Sequence, residues 1–250
     1  MNYLSLSQRI IKSQKPYIFF HTWEVTRELL SQVIAQHKTI DLDISVNEKG
    51  EPYLGHSDEY HQKSAEPYFH TMPFWEAVEM VAASDIFVMV DCKNHHSWPV
   101  IEAIVEEIGP QRCLVCGFAN ELKFGFSREP NEPDFLTEWS PLDQFTKLKD
   151  KFPAVTITPC SKWLPQDLFT SEKYTSLIDQ VRDILKNSKA DTVCLSVPDE
   201  TITDKWINYF LDACIILHIM VDHLDTTKLS SLYIGETDYL EKVSPTTQLY

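Results

Sequence analysis

The chain has 250 residues, 43% of them hydrophobic, and its 22 Lys and Arg against 37 Asp and Glu give a formal charge of -15. This length is enough for one large α/β domain, or two small ones, with a substantial core. The acidity argues against nucleic acid and against anionic membrane surfaces as partners, because both are held mainly through Lys and Arg.

The first residues, MNYLSLSQRIIKSQK, lack the apolar run of a secretory signal. No stretch of the sequence approaches the roughly 20 apolar residues that a bilayer span needs. We therefore expect a cytoplasmic protein without stable membrane insertion. The six cysteines fall mostly in apolar, strand-like runs without a secreted disulfide pattern, which favours buried free thiols.

Strand-like and helix-like patterns alternate along the chain. After an N-terminal helical extension (1–15), eight strands are predicted at 16–21, 39–46, 86–93, 112–119, 154–160, 192–198, 214–221 and near 234–239. Residues 47–73 between the second and third strands read as a hairpin followed by a candidate lid. Helices are predicted at 23–36, 73–84, 100–108, 141–152, 177–185, 206–211 and 226–233.

Most of these strands are continuous apolar runs, as in parallel sheets that are covered on both faces. Eight βα units within residues 1–250 predict a single (β/α)8 TIM barrel, and an open doubly wound sheet is the alternative. The nucleotide-binding form of that alternative is disfavoured, because the chain has six glycines and no glycine-rich phosphate-binding motif.

Ionisable residues cluster where the first three predicted strands end, which is where a TIM barrel carries its chemistry. Asp41 and Asp43 share a face of the second strand because they are two residues apart, as do Asp91 and Lys93 on the third. Adjacent strands would bring the three carboxylates to one point, where they repel unless a cation intervenes. Oxygen ligands of this kind predict Mg²⁺ or Ca²⁺.

These motifs resemble the glycerophosphodiester phosphodiesterase pattern and its sphingomyelinase D-like relatives within the phospholipase-C-like barrels. The likeness covers a His ending strand one, an acidic-x-Asp pair, a glycine-turned hairpin leading to His, and an Asp-x-Lys pair. It continues in VCGFANEL and YIGETDYLEK further along the chain. The residues that carry the first part are His21, Asp41, Asp43, His56, Asp91 and Lys93.

The resemblance implies a role for each of these residues. The three aspartates, Asp41, Asp43 and Asp91, would hold the divalent cation, and Lys93 would neutralise charge on the phosphoryl group. His21 and His56 would be the general acid and base. The family motif continues as His-Arg-Gly, whereas this chain has Thr after its His. Lys123 or Lys162, in loops after strands four and five, are the candidate substitutes for that phosphate-contacting Arg.

The resemblance implies a metal-dependent phosphoric diester hydrolase that acts on a glycerophosphodiester or a related small or lipid-derived phosphodiester. The alternative is a catalytically weak barrel that binds a phosphorylated ligand as a sensor or partner protein. A barrel lyase or hydrolase for a non-phosphate substrate is a third hypothesis. The sequence leaves the oligomeric state open.

Overall fold

The computed structural model describes residues 6–13, 17–21, 25–36, 39–56, 71–122, 139–161, 175–195, 203–220 and 234–237. Its strands are β1 (Tyr17–Phe20), β2 (Thr39–Val46), β3 (Pro52–Leu54), β4 (Phe87–Cys92), β5 (Cys113–Ala119), β6 (Trp139–Ser140), β7 (Thr156–Ser161), β8 (Thr192–Leu195), β9 (Ile216–Met220) and β10 (Ile234–Thr237). Its α-helices are α1 (Leu6–Ser13), α2 (Arg27–Gln36), α3 (Phe74–Ala82), α4 (Trp98–Ile108), α5 (Leu142–Lys151), α6 (Thr175–Asn187) and α7 (Asp204–Leu211).

Eight of these strands are parallel and neighbour one another in chain order: β2, β4, β5, β7, β8, β9, β10 and β1. This order confirms the predicted (β/α)8 architecture, since a doubly wound sheet reverses its strand order at a switch point. Two short strands are additions to the pattern: β3 pairs antiparallel with β2, and β6 pairs with β5.

The seam of the barrel lies between β1 and β2. Backbone pairing does not join these two strands within the described ranges, so the ladder of the barrel is not continuous there. The side chain of Thr39, the first residue of β2, instead donates a hydrogen bond of 2.8 Å to the carbonyl oxygen of Ile18 in β1. A side-chain hydrogen bond therefore links β1 and β2 where the backbone ladder is interrupted.

Alternate residues of each strand serve two different cores. On β4, Val88 and Val90 belong to the large cluster between strands and helices. Phe87 and Met89 belong to a smaller cluster inside the barrel. Both faces of the strand are therefore buried, which explains why the strands read as continuous apolar runs.

Helix α1 closes the end of the barrel at which the strands begin. Leu6 and Ile10 are fully buried in the interior cluster. The backbone N–H of Ser7 donates to Thr156 Oγ1 at 3.0 Å, and Thr156 is the first residue of β7. The helix lies within the predicted 1–15 extension and leaves the opposite end of the barrel for the site.

The predicted strand at 214–221 was wrong at its first residues. Cys214 is exposed and lies in a turn with φ of 62°, and β9 begins only at Ile216. The backbone N–H of Cys214 donates to Leu211 at the end of α7, so this residue still belongs to the helix-to-strand turn. The predicted helix at 226–233 and residues 57–70 of the predicted hairpin and lid (47–73) lie outside the described residues.

None of the helices that the structure describes is both long enough and apolar enough to span a bilayer. The predicted extent of the domain, 1–250, stays a prediction.

The adjacent residues Ile10 and Ile11 test the closing role of α1. Ile10 is fully buried, whereas Ile11 is 56% exposed. We expect Ile10→Ala to lower the free energy of unfolding by about 2–5 kcal/mol, because it leaves a cavity inside the barrel. Ile11→Ala should change it by less than about 0.5 kcal/mol. Equal effects in urea titrations of the two variants would contradict this packing.

Candidate active site

The carboxyl ends of β1, β2 and β4 bring the predicted site residues to one side of the barrel interior. His21 directly follows β1, Asp41 and Asp43 lie in β2, and Asp91 lies in β4. Asp43 and Asp91 are direct partners in the parallel register of β2 and β4. Two carboxylates therefore stand side by side on neighbouring strands, as the sequence predicted.

A tight turn after β2 returns the chain to the end of the barrel that holds Asp43, and this places His56 beside Asp43. Asn47 Oδ1 accepts hydrogen bonds from two backbone N–H groups of the turn, at 2.9 and 3.0 Å. Gly50 and Gly55 have φ of 80° and 120°, a region that favours glycine. The N–H of Gly55 donates to the carbonyl oxygen of Asp43 at 2.9 Å. The backbone that precedes His56 is thus tied to the strand that carries Asp43.

Asp43 is the common partner of three cationic or protonatable side chains. Its Oδ2 lies 3.5 Å from His21 Nε2 and 3.2 Å from His56 Nε2, and its Oδ1 lies 3.2 Å from Lys93 Nζ. Burial opposes ionisation, but Lys93 and the two histidines hold the pKa of Asp43 well below its ordinary value. This carboxylate is therefore charged at neutral pH.

The ammonium of Lys93 lies between two carboxylates. Its Nζ is 2.5 Å from Asp91 Oδ2 and 3.2 Å from Asp43 Oδ1. Burial alone would lower the pKa of Lys93, yet Asp43, Asp91 and Asp41 raise it well above its ordinary value. Burial raises the pKa of Asp91, and the neighbouring charge of Asp43 adds to that rise, while Lys93 opposes it.

One group of donor atoms at this site has the spacing of a cation site. A nitrogen of His21 and one carboxylate oxygen each from Asp41 and Asp43 lie within 4.8 Å of one another, and all three residues are buried. Asp91 is directed towards Lys93 and is not part of this group. Three carboxylates and one ammonium give a formal charge of -3 + 1 = -2 before the histidines are counted. The donors and their charge fit a hard divalent cation.

Six of the eight predicted site residues are therefore gathered at one end of the barrel. The other two, Lys123 and Lys162, lie outside the described residues.

Asn94 supports the site, a role that its place in the sequence did not predict. Its Nδ2 donates to the carbonyl oxygen of Val46 at 2.9 Å, and its Oδ1 accepts from Ser97 Oγ at 2.7 Å. These bonds tie the turn after Lys93 to the end of β2. The only signal in the sequence was a polar residue directly after DCK, which is equally typical of an ordinary loop.

No protein-family model matches this chain, and no curated protein matches it by sequence. Solved structures do match. A phosphodiesterase of Oleispira antarctica, in complex with the product sn-glycerol-3-phosphate, is 11% identical with a TM-score of 0.60, over 95% of this chain and 99% of that one. A glycerophosphoryl diester phosphodiesterase of Parabacteroides distasonis is 10% identical with a TM-score of 0.55, over 94% of this chain and 88% of that one.

An enzyme of different chemistry matches as well. N-(5'-phosphoribosyl)anthranilate isomerase of Pyrococcus furiosus is 13% identical with a TM-score of 0.53, over 92% of this chain and 94% of that one. At such identities the likeness establishes the fold and not the reaction. The chain has the (β/α)8 fold that glycerophosphodiester phosphodiesterases share with this isomerase.

Replacement of Lys93 tests the charge balance of the site. Lys93→Met leaves two buried carboxylates, Asp41 and Asp43, and the partly buried Asp91 without their ammonium. We expect a loss of about 3–5 kcal/mol in the free energy of unfolding at pH 7. Lys93 lowers the pKa of Asp43 and of Asp91, so the folded-state pKa values of both carboxylates rise when it is removed. The variant is then relatively stable at low pH and loses stability as the pH rises.

Urea titrations at pH 5 and pH 7 measure this effect, and millimolar Mg²⁺ or Ca²⁺ should restore part of the stability at pH 7. The control is Lys151→Met, because Lys151 is 49% exposed and pairs with Glu102 on the surface. We expect a change below about 1 kcal/mol for that control. A Lys93→Met variant that is equally destabilised at both pH values would count against the ionic account.

Proposed function

We propose that the protein is a metal-dependent phosphoric diester hydrolase that acts on a glycerophosphodiester or a related small, lipid-derived phosphodiester. The observation that carries the proposal is the pair of imidazoles, His21 and His56, which contact one buried carboxylate beside an ammonium and further carboxylates. Proton transfer at two ester oxygens needs two such groups. The product-bound phosphodiesterase that shares the fold supports the substrate class.

The cation would be Mg²⁺ or Ca²⁺, held by Asp41 and Asp43 together with Asp91. The spacing of the donor atoms supports the first two residues and also includes His21. A metal-bound imidazole nitrogen cannot transfer a proton, so Asp91 and not His21 is proposed as the third ligand. When bound, such an ion offsets charge on a phosphodiester oxygen. The excess of carboxylates over ammonium groups at this end of the barrel is the physical reason to expect it.

Acid–base catalysis is assigned to His21 and His56. One ring takes the proton of the attacking hydroxyl as the new P–O bond forms. The other ring gives a proton to the leaving alcohol oxygen as the ester P–O bond breaks. Asp43 contacts Nε2 of both rings, so it orients them and stabilises whichever ring is protonated.

Lys93 is assigned to charge that develops on the phosphoryl group. It lies at the same end of the barrel as both histidines and contacts Asp43. We further propose Lys123 and Lys162 as contacts for the phosphate group, from the loops that follow β5 and β7. The cytoplasm is the proposed compartment, because all six cysteines are free thiols, as is typical of reducing compartments.

The second candidate is a barrel that binds a phosphorylated ligand without efficient turnover. It is favoured by one observation: Thr22 stands where the family pattern has an Arg that contacts phosphate. Stabilisation by a phosphodiester without its hydrolysis would support this candidate.

A substrate panel tests the proposal directly. Glycerophosphodiesters and bis(p-nitrophenyl) phosphate are incubated with the protein in Mg²⁺ or Ca²⁺, and the release of sn-glycerol-3-phosphate or p-nitrophenol is measured. We expect turnover that His21→Ala and His56→Ala each lower by about 10²–10⁴-fold, because each removes a proton-transfer group. The control is His96→Ala, since His96 is exposed. Absence of turnover across the panel would contradict the proposed hydrolase activity.

Metal binding is tested separately by calorimetry. Asp41→Asn removes a carboxylate from the donor group, and we expect it to weaken Mg²⁺ or Ca²⁺ binding at least tenfold. Asp143→Asn is the matched control, because this aspartate lies on α5 with its side chain 59% exposed. An unchanged affinity in Asp41→Asn would contradict the proposed ligand set. The metal affinity of Asp91→Asn is measured in parallel. A loss of affinity in this variant supports Asp91 as the third ligand, and an unchanged affinity favours His21.

A further inference from the structure

Three consecutive strands, β7, β8 and β9, carry a second group of potential metal ligands. Cys160 in β7, Cys194 in β8 and His218 in β9 are partners in the parallel register of three consecutive strands. Their sulfur and ring-nitrogen atoms lie within 4.8 Å of one another, and all three residues are buried. The site proposed above uses none of them.

The surroundings of this group are polar as well. Cys116 of β5 is buried, and its thiol is hydrogen-bonded to the side chain of Cys160. Thr158 is the register partner of Cys116 and lies two residues before Cys160, on the same face of β7. Its hydroxyl is fully buried and, within the described part of the chain, has no hydrogen-bond partner.

Such a lining is unusual for the interior of a barrel, which Val, Ile and Leu normally fill. Buried polar atoms are costly unless hydrogen bonds or a bound ion compensate them. A single buried cysteine behaves as a small apolar residue. Two cysteines and a histidine whose donor atoms converge from three strands have the composition of a zinc site.

We propose that Cys160, Cys194 and His218 form a second, soft-metal site that binds Zn²⁺, with Cys116 as a hydrogen-bonded neighbour of the sulfur of Cys160. Zn–S bonds of about 2.3 Å place tetrahedral sulfur ligands about 3.8 Å apart, so the donors need to approach by only about 1 Å.

Charge also favours Zn²⁺ at this place. Two thiolates and a neutral imidazole around a divalent ion give a complex of zero net charge, which avoids a buried uncompensated charge. Binding displaces the two thiol protons into solvent. The carboxylates on β2 and β4 attract hard cations, whereas thiolate and imidazole ligands select zinc over Mg²⁺ and Ca²⁺. One barrel interior would thus hold two cation sites of opposite preference.

Cobalt substitution tests the zinc site without reference to catalysis. The metal-free protein is titrated with Co²⁺ in the presence of a reductant and excess Mg²⁺, and the thiolate-to-metal charge-transfer absorption is recorded. We expect saturation at one equivalent and loss of the signal when one equivalent of Zn²⁺ is added. Cys194→Ser and His218→Ala should each weaken binding at least tenfold.

The matched control is Cys113→Ser, because Cys113 is also a buried strand cysteine but faces the helices. It should keep the full absorption, as should Asp41→Asn. Circular dichroism checks that each variant is folded, and Cys160→Ser replaces any variant that is not. A wild-type protein without thiolate charge transfer, or folded cluster variants that bind like wild type, would overturn the proposal, whatever the phosphodiesterase assays show.

Discussion

The site depends on the compensation of one buried charge, the carboxylate of Asp43. Three elements supply its partners: the end of β1 gives His21, the hairpin gives His56, and the end of β4 gives Lys93. A buried carboxylate is tolerated only with such partners. The same contacts that make Asp43 acceptable inside the barrel therefore fix the positions of both imidazoles and of the ammonium. Structure and proposed chemistry have a common cause in this carboxylate.

The rest of the fold allows the barrel interior to be this polar. Most of the apolar burial lies in the layer between strands and helices, and α1 seals the end where the strands begin. The interior near that end is lined by aromatic and aliphatic side chains, with Phe19 and Phe87 among them. Apolar packing therefore stabilises the fold mainly between strands and helices and at the end of the interior where the strands begin. The end where the strands finish can hold charged side chains and thiols instead of further apolar residues.

The sequence predicted the parts of this arrangement that follow from local pattern. Apolar runs located β2 and β4, and the two-residue spacing placed Asp41 with Asp43 on the inner face. It did not predict that Lys93 would lie between two carboxylates, because that depends on the register of β2 against β4. The meeting of Cys160, Cys194 and His218 depends likewise on the register of strands far apart in sequence. Strand ends were the weakest predictions, as Cys214 shows.

The barrel by itself does not decide the reaction, since a phosphodiesterase and an isomerase share it with this chain at similar overlap. What argues for phosphodiester chemistry is the charge at the strand ends. An anionic substrate would be repelled by three carboxylates facing one ammonium unless a cation is present. The chain as a whole, at -15, supplies no excess of basic residues to offset that repulsion. The same acidity that argues against a nucleic-acid partner is thus the reason to propose a divalent ion for the reaction.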